Sequence, residues 1–422
     1  MLVEFKIKNF MSFKDESVFS MVASKDKTYL ENNTISTPAL NKRLLRTSVV
    51  YGANAAGKSN LIKAIKLVER LVHSANVDES GIPELYAPFK FSLETTNSPS
   101  EFELTFITED GVRYQYGFAI NPKQVEREWL IAYPKGLPQV WFRRDNYSSE
   151  NPWYFGRSLK GNKEQIAQLT RPDVLFLTVA AKMNHEQLTE VYNWFKNNLY
   201  YIGIENNINF STGYSIKRAK EDPGMQSQIR NLLKYADFGI DDLEFHEEQM
   251  DEKVLEILSP EYRKDFQGKY FEVYMDHRTD ADHKFLLSID DESNGTRKFF
   301  SLSGLIIDGL NNGWTIFVDE LDSSLHPLLV RYIVELFHNP KINNKGAQLI
   351  FNTQDTTLMN TDIFRRDQIW FVEKDSEQCS HLYSLLDYMP RKDESLSKWY
   401  LQGRYGAVPF ISEPQWGVEG DE

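Results

Sequence analysis

The stretch GANAAGKS, Gly52 to Ser59, spaces two glycines, a lysine and a serine as GxxxxGK[ST], a pattern suited to cradling a polyphosphate. Gly52, Asn54, Ala55, Ala56, Gly57, Lys58, Ser59 and Asn60 are the candidate contacts, because small loop residues let main-chain N–H groups and a helix N-terminus close on an anion. Lys58 is then expected to reach the β- and γ-phosphates of ATP, and the Ser59 hydroxyl to ligate Mg²⁺. A second reactive group is the pair Asp319 and Glu320, which ends the apolar run WTIFV. Acids leaving a strand at the C-terminal edge of a parallel sheet face the crevice where ligands bind. Asp319 is suited to hold the cation through water, and Glu320 to orient or deprotonate an attacking water.

A third element precedes the acids in the sequence. Phe299, Leu302, Ile306 and Leu310 mark one face of a helix, which puts Ser293, Asn294 and Gly295 at its N-terminus. That end can bind an anion, yet the phosphate loop already occupies the same sheet. A second anion cradle therefore points to a second subunit.

These groups need a sheet to carry them. TSVVYG, Thr47 to Gly52, is a β-branched apolar run stopped by glycine and predicts a buried central strand. Leu61, Ile65, Val68 and Val72 predict a helix after it, with one apolar stripe. Val3, Phe5 and Ile7 alternate with Glu4, Lys6 and Lys8 as a half-buried strand does. Around the turn pair Asp110-Gly111, Phe102, Leu104 and Phe106 face Tyr114, Tyr116, Phe118 and Ile120, an antiparallel pattern. From Phe285 onward short apolar strands and helices alternate, as in a parallel sheet covered by helices. Pro327 opens one of these helices, with Leu329, Ile333, Leu336 and Phe337 as its expected apolar face.

The expected fold is thus α/β, a phosphate-loop head with a mixed sheet made from both ends of the chain. Its first half covers residues 1–80, an inserted antiparallel β unit 81–145, a mostly helical insertion 146–284, and the second half of the head 285–422.

Composition narrows the partners. A formal charge of −13 argues against a surface that clamps nucleic acid throughout, since phosphate binding draws on Lys and Arg. No apolar run approaches the roughly 18 residues a membrane span needs, and MLVEFKIKNF lacks the apolar core of a secretory signal. A cytoplasmic protein with no membrane partner is expected. The single Cys379 excludes an internal disulfide and reads as a buried bystander. HEEQM, from His246, lacks the second histidine of a zinc-protease motif, and DHRTDADH, Asp276 to His283, reads as a polar hairpin loop rather than a metal cluster. KRLLR (Lys42 to Arg46) and IKRAK (Ile216 to Lys220) read as solvated surface, and Tyr192, Trp194 and Phe195 as core.

The same residues resemble ABC-type ATPase heads of the SMC, RecF and OLD superfamily. FKIKNFMSFKD looks like that superfamily's N-terminal strand and loop, SNG with the following GT like its signature, and LDSSLHP like its D-loop. ESNGTRKFFSL, RRDQIWFVEKD and GRYGAVPFI are together similar to compact bacterial ATPases of phage-defence systems such as RloA, AbiL and AriA. The resemblance implies an ATP-sandwich homodimer or higher oligomer, with Ser293 and Gly295 contacting the γ-phosphate held by the opposite chain and Asp322 at the dimer interface. It also implies a sensor ATPase controlling a separate effector such as a nuclease or toxin.

Two positions depart from the pattern. Where the superfamily has a switch histidine, this chain has Gln354, which can donate a hydrogen bond but cannot take up a proton at neutral pH. No glutamine is placed as the Q-loop residue; Gln115 and Gln124 both lie in the antiparallel unit. Two other readings stay open: a RecF-like DNA-binding repair ATPase, and a scaffold that holds ATP with negligible turnover.

Overall fold

The computed structural model of the chain describes residues 1–73, 82, 86–147, 151–203, 208–236, 238–249, 269–277, 284–359, 362–391 and 394–410. Its centre is a six-stranded sheet in the order β11-β15-β16-β5-β17-β18. The strands are β5 (Thr47–Tyr51), β11 (Leu199–Ile202), β15 (Thr315–Val318), β16 (Gln348–Asn352), β17 (Ile369–Lys374) and β18 (Ser380–Ser384). All pair in parallel except β17 with β18, which form an antiparallel hairpin.

A strand buried on both faces reads as a near-continuous apolar run, as Val49–Tyr51, Ile316–Val318, Leu349–Phe351 and Ile369–Val372 do. Alternate side chains serve two different cores: Val50, Phe317, Ile350, Trp370 and Val372 point to one, while Val49, Tyr51, Ile316, Val318, Leu349 and Phe351 point to the other. Each full burial stabilises by roughly 1.5–3 kcal/mol, so the sheet is the rigid plate on which the loops at its C-terminal edge are mounted.

The first core is closed by helix α1 (Lys58–His73), whose Leu61, Ile65, Val68 and Val72 are buried, and by a seven-stranded antiparallel sheet. That sheet runs β10-β9-β8-β7-β6-β1-β2, from β1 (Leu2–Lys8), β2 (Ser17–Ser20), β6 (Ser100–Ile107), β7 (Arg113–Ile120), β8 (Val125–Tyr133), β9 (Gln139–Asp145) and β10 (Trp153–Phe155). A small ribbon of β3 (Thr34–Ile35) and β4 (Leu44–Leu45) flanks it. Helices α2 (Lys163–Leu169), α3 (Phe176–Lys182) and α4 (Glu186–Asn198) pack into the same core, where Trp194 stacks on Phe106 with ring centroids 4.0 Å apart.

On the other face lie α5 (Ile208–Glu221), α6 (Pro223–Tyr235), α7 (Asn294–Asn312), α8 (Pro327–His338) and α9 (Leu396–Leu401). A three-stranded antiparallel sheet of β12 (Ile240–Gln249), β13 (Lys269–His277) and β14 (Phe285–Ser288) leads into α7. Arg218 of α5 grips Asp308 of α7 with two nitrogens at 2.6 and 2.9 Å, and Tyr214 adds its hydroxyl at 2.6 Å.

Several expectations change here. The stretch 146–284 is not set apart: β10 joins the antiparallel sheet and β11 becomes an edge of the central one, beside β15. Four residues with two tyrosines, LYYI, carry too little period to announce a parallel strand. The antiparallel unit likewise borrows β1 and β2 from the N-terminus. Only the start of KRLLR is solvated: Lys42 is exposed, but Leu44 and Leu45 are fully buried and Arg46 donates to the Asn343 carbonyl at 2.7 Å. Within IKRAK, Ile216 and Ala219 are buried and Arg218 pairs with Asp308 of α7, while Lys217 and Lys220 are exposed. On α8 the apolar face holds the expected Ile333, Leu336 and Phe337 together with Val330 and Val334, and Leu329 is half-buried at its side. Residues 278–283 of the DHRTDADH stretch lie outside the described residues. Cys379 is buried and free, and among the described residues no helix is long and apolar enough to cross a membrane.

Candidate functional site

The turn from β5 into α1 wraps so tightly that side chains are excluded from it. A Cβ on Gly57, which has φ +114°, would lie 2.3 Å from Ser380 Oγ and 2.7 Å from Ser12 Oγ. A Cβ on Gly52 would lie 2.3 Å from the Val372 carbonyl oxygen. Ser380 and Ser12 are therefore the back wall of the loop: the Ser380 hydroxyl donates to the Ala56 carbonyl and lies 2.7 Å from Ser12 Oγ, which in turn accepts from Asn60 Nδ2 at 2.8 Å. Neither serine was found by sequence reasoning, since they come from opposite ends of the chain and match no pattern. Ala55 has φ +61° and, with Asn54, sits exposed at the loop's crest.

Lys58 opens α1 and is buried, with Nζ donating to the carbonyls of Gly52 at 2.7 Å and Ala53 at 3.0 Å. Burial lowers its pKa, and the nearby carboxylates of Glu320, Asp322 and Asp319 oppose that effect. Ser59 donates from Oγ to Asp319 Oδ1 at 2.9 Å, so the loop's hydroxyl and the first acid are already neighbours.

The acids are clasped by Asn352, the last residue of β16. Its Nδ2 donates to Asp319 Oδ1 at 2.5 Å, and its Oδ1 accepts from the main-chain N–H of Glu320 at 2.6 Å. Asp319 is buried, and its own N–H bonds the Ile202 carbonyl of β11 at 2.8 Å. Glu320 is held at φ +50°, a left-handed conformation that costs a non-glycine residue about 1–3 kcal/mol and persists only where surroundings impose it. A hydroxyl and a carboxylate oxygen 2.9 Å apart, at the mouth of a loop lined with N–H donors, are the hard oxygen ligands that suit a magnesium ion beside a phosphate.

Ser293 caps α7, its Oγ accepting from Thr296 N at 3.1 Å. Ser293 and Asn294 are exposed, while Gly295 lies where a Cβ would be 3.1 Å from the Ser324 carbonyl, so the start of α7 abuts the turn that follows the acids. Lys298, one turn in, is half-buried; burial lowers its pKa, and Glu320 and Asp319 are the charges that hold it up. It was missed in the sequence because a lysine near a helix start carries no signal of what it faces. Asp322 accepts from the main-chain N–H of Gln354 at 3.2 Å, and the Gln354 residue is exposed. Asp355 instead caps the following turn through Thr357 N at 2.9 Å.

The structure thus brings Lys58, Ser59, Asp319 and Glu320 together, with Asp322 and Gln354 beside them. Gln115 is not brought in: it lies on β7 and accepts from the Tyr133 hydroxyl at 2.9 Å. Gln124 lies in the turn before β8, where its N–H bonds Asn121 Oδ1 at 2.9 Å. Among the described residues no three His, Cys, Asp or Glu side chains cluster as a metal centre.

A family model described as "AAA domain, putative AbiEii toxin, Type IV TA system" matches residues 48–360, from the phosphate-loop strand to beyond Gln354. No curated protein matches the chain. Among solved structures it is similar to an Smc head bound to the C-winged helix domain of ScpA, at 16% identity over 92% of this chain and 99% of that one, TM-score 0.44. It is similar to the SMC head domain from Thermotoga maritima at 14% identity, over 91% and 98% of the two chains, TM-score 0.39. It is also similar to the recombination mediator protein RecF of the RecFOR pathway, at 12% identity over 91% and 98%, TM-score 0.37.

Proposed function

The chain belongs to that AAA-domain family, and from this premise we propose that it is an ABC-type ATPase which binds Mg²⁺-ATP, hydrolyses it, and acts as a dimeric switch. The observation that carries the reading is the unbroken line Ser59, Asp319, Asn352, Glu320, which sets one carboxylate against the loop's hydroxyl and leaves the second with no hydrogen-bonding partner among the described residues.

In this reading Lys58 exchanges the carbonyls of Gly52 and Ala53 for phosphate oxygens, with Glu320, Asp322 and Asp319 opposing the lowering of its pKa by burial. Ser59 and Asp319 would hold a metal ion, which would neutralise charge on the phosphates. Glu320, fixed by its main chain, orients the attacking water and accepts its proton. Gln354 donates a hydrogen bond to the terminal phosphate without taking a proton, so turnover is slow and serves as a timer. The exposed tip Ser293–Gly295 completes the site of a second copy, which gives ATP a differential affinity for the closed dimer. The family's description as a toxin–antitoxin AAA domain supports a role in anti-phage defence, and the resemblance to phage-defence ATPases supports control of a separate effector, a nuclease or toxin.

Phosphate release and light scattering test this together. Lys58→Ala is expected to lose nucleotide binding. Glu320→Gln is expected to keep it, to release phosphate about 10²-fold more slowly, and to accumulate as an ATP-bound dimer. Ser293→Arg is expected to bind ATP and stay monomeric. Equal phosphate release by wild type, Lys58→Ala and Glu320→Gln would leave only an ATP-holding scaffold, and a Ser293→Arg protein that dimerises like wild type would remove the trans contact.

A further inference from the structure

Tyr51 ends β5, one residue before the glycine that opens the phosphate loop. Its ring is fully buried beside Phe371 and Tyr400, with centroids 6.5 and 6.0 Å away, yet its hydroxyl has no hydrogen-bonding partner among the described residues. Asp355, the residue after Gln354, has the complementary defect. Its Oδ1 accepts from Thr357 N at 2.9 Å and from Thr357 Oγ1 at 2.7 Å, while its Oδ2 is buried with no donor among the described residues.

The two groups lie on one side of the central sheet. β16 is the neighbour of β5, Asn352 is paired with Val50, and Thr353 N reaches the Val50 carbonyl at 3.3 Å, so the chain leaving β16 runs on beside Tyr51 and Gly52. Phe351 faces the same core as Tyr51, and alternation carried past the strand end puts Thr353 and Asp355 on that side too. The electrostatics agree: burial raises the Tyr51 phenol well above its usual pKa, and Asp355 and then Asp322 are the carboxylates that raise it further. Buried hydroxyls and carboxylate oxygens nearly always have partners. A donor without an acceptor and an acceptor without a donor, on adjoining strands, satisfy each other if one of them moves. The packed ring is fixed. The turn is not, since Gln354 is exposed, Asp355 is half-buried, and their bonds run to Asp322, Thr353 and Thr357 close by.

We propose that Tyr51 is a positioning residue for Gln354: its hydroxyl donates to Asp355 Oδ2 when the turn after β16 closes over the phosphate loop, and the Gln354 amide is thereby set against the terminal phosphate. Tyr51's role rests on the part given above to Gln354. It accounts for a tyrosine at a place where phenylalanine would fill the same apolar space without stranding an oxygen.

Tyr51→Phe in the full chain removes only the oxygen. Because that oxygen makes no bond where the structure places the turn, the melting temperature without nucleotide should be no lower than wild type. The kcat for phosphate release should fall about tenfold, part of the roughly 10²–10³-fold that losing a transition-state donor outright costs, with KM for ATP within about threefold of wild type. Gln354→Ala should lower kcat at least as far, and adding Tyr51→Phe to it should change nothing more, since the hydroxyl acts through that side chain. A Tyr51→Phe protein that turns over as wild type while Gln354→Ala is slow would overturn the proposal and leave the role of Gln354 intact. So would a tenfold loss that persists in the Gln354→Ala protein, because the hydroxyl would then act elsewhere. A lower melting temperature without nucleotide would also overturn it, by showing the hydroxyl already paired through a buried water. Gln354→Ala turning over as wild type would remove the role of Gln354 itself, and Tyr51's with it.

Discussion

Asn352→Leu removes the clasp on both acids while keeping the side chain's approximate volume. The amide's orientation follows from its partners: the main-chain N–H of Glu320 can only donate, so the Asn352 oxygen faces it and the NH₂ faces Asp319. Leucine leaves the Glu320 N–H with no acceptor and takes one of two donors from Asp319 Oδ1, Ser59 Oγ being the other. Only the Glu320 N–H is stranded, at a cost of about 1–3 kcal/mol, because Asp319 Oδ1 keeps the Ser59 hydroxyl. Part of that is recovered by motion, because Glu320 stores about 1–3 kcal/mol in its left-handed backbone, which then keeps only the turn bonds from Ser323 N to the Glu320 carbonyl and from Leu321 N to the Asn352 carbonyl. The carboxylate should swing away from the water it orients, and a displacement near 1 Å costs about 10²-fold in rate, equal to about 2.7 kcal/mol of barrier. The expected result is phosphate release about 10²-fold slower, a lower but still cooperative melting transition, and affinity for a fluorescent ATP analogue within about threefold of wild type, since the loop and Lys58 are untouched. Turnover within threefold of wild type in a protein that folds and binds ATP would refute the reasoning, because the acids would then be positioned by something other than Asn352.

Gly57→Ala places a methyl 2.3 Å from Ser380 Oγ at φ +114°, combining backbone strain of about 1–3 kcal/mol with overpacking of similar size; differential scanning calorimetry should show clear destabilisation, partly recovered by adding Ser380→Gly, and an unchanged melting temperature would deny the close approach. His338 is buried under β5, where Nε2 lies 2.7 Å from Thr47 Oγ1 and accepts from Gln368 Nε2 at 3.1 Å, and burial pulls its pKa down to about 3. The unfolded chain takes up that proton near pH 6.5 and the folded one resists, so its contribution is complete above pH 6.5 and is lost as pH falls toward 3. Between pH 7 and 4 the melting temperature should therefore fall more steeply for wild type than for His338→Gln, and parallel slopes would count against the buried neutral imidazole.

The chemistry was legible wherever a few neighbouring residues carry it, and illegible wherever strand order does. GxxxxGK[ST], the acids after WTIFV and the serine-capped start of α7 each need only one strand or one helix, and all lie where their spacing put them. Asn352, Ser12, Ser380 and Lys298 matter only through partners that folding brings near, at separations such as the 368 residues between Ser12 and Ser380. Asn352 shows why. Val318 of β15 is paired with Phe351 of β16, so the next residues, Asp319 and Asn352, must be neighbours, and Asn352 is in turn paired with Val50, two residues before the glycine that opens the phosphate loop. A slip of β16 by one residue would present Phe351 or Thr353 to the acids and turn every buried side chain of the strand to the opposite core. Ile350 faces one core while Leu349 and Phe351 face the other, all three fully or almost fully buried, so that slip is opposed along the whole strand. The packing of β16 thus fixes where its terminal amide lies, and the amide fixes the acids; the hydrophobic pattern that looked like mere sheet interior is what aims the polar groups at its edge.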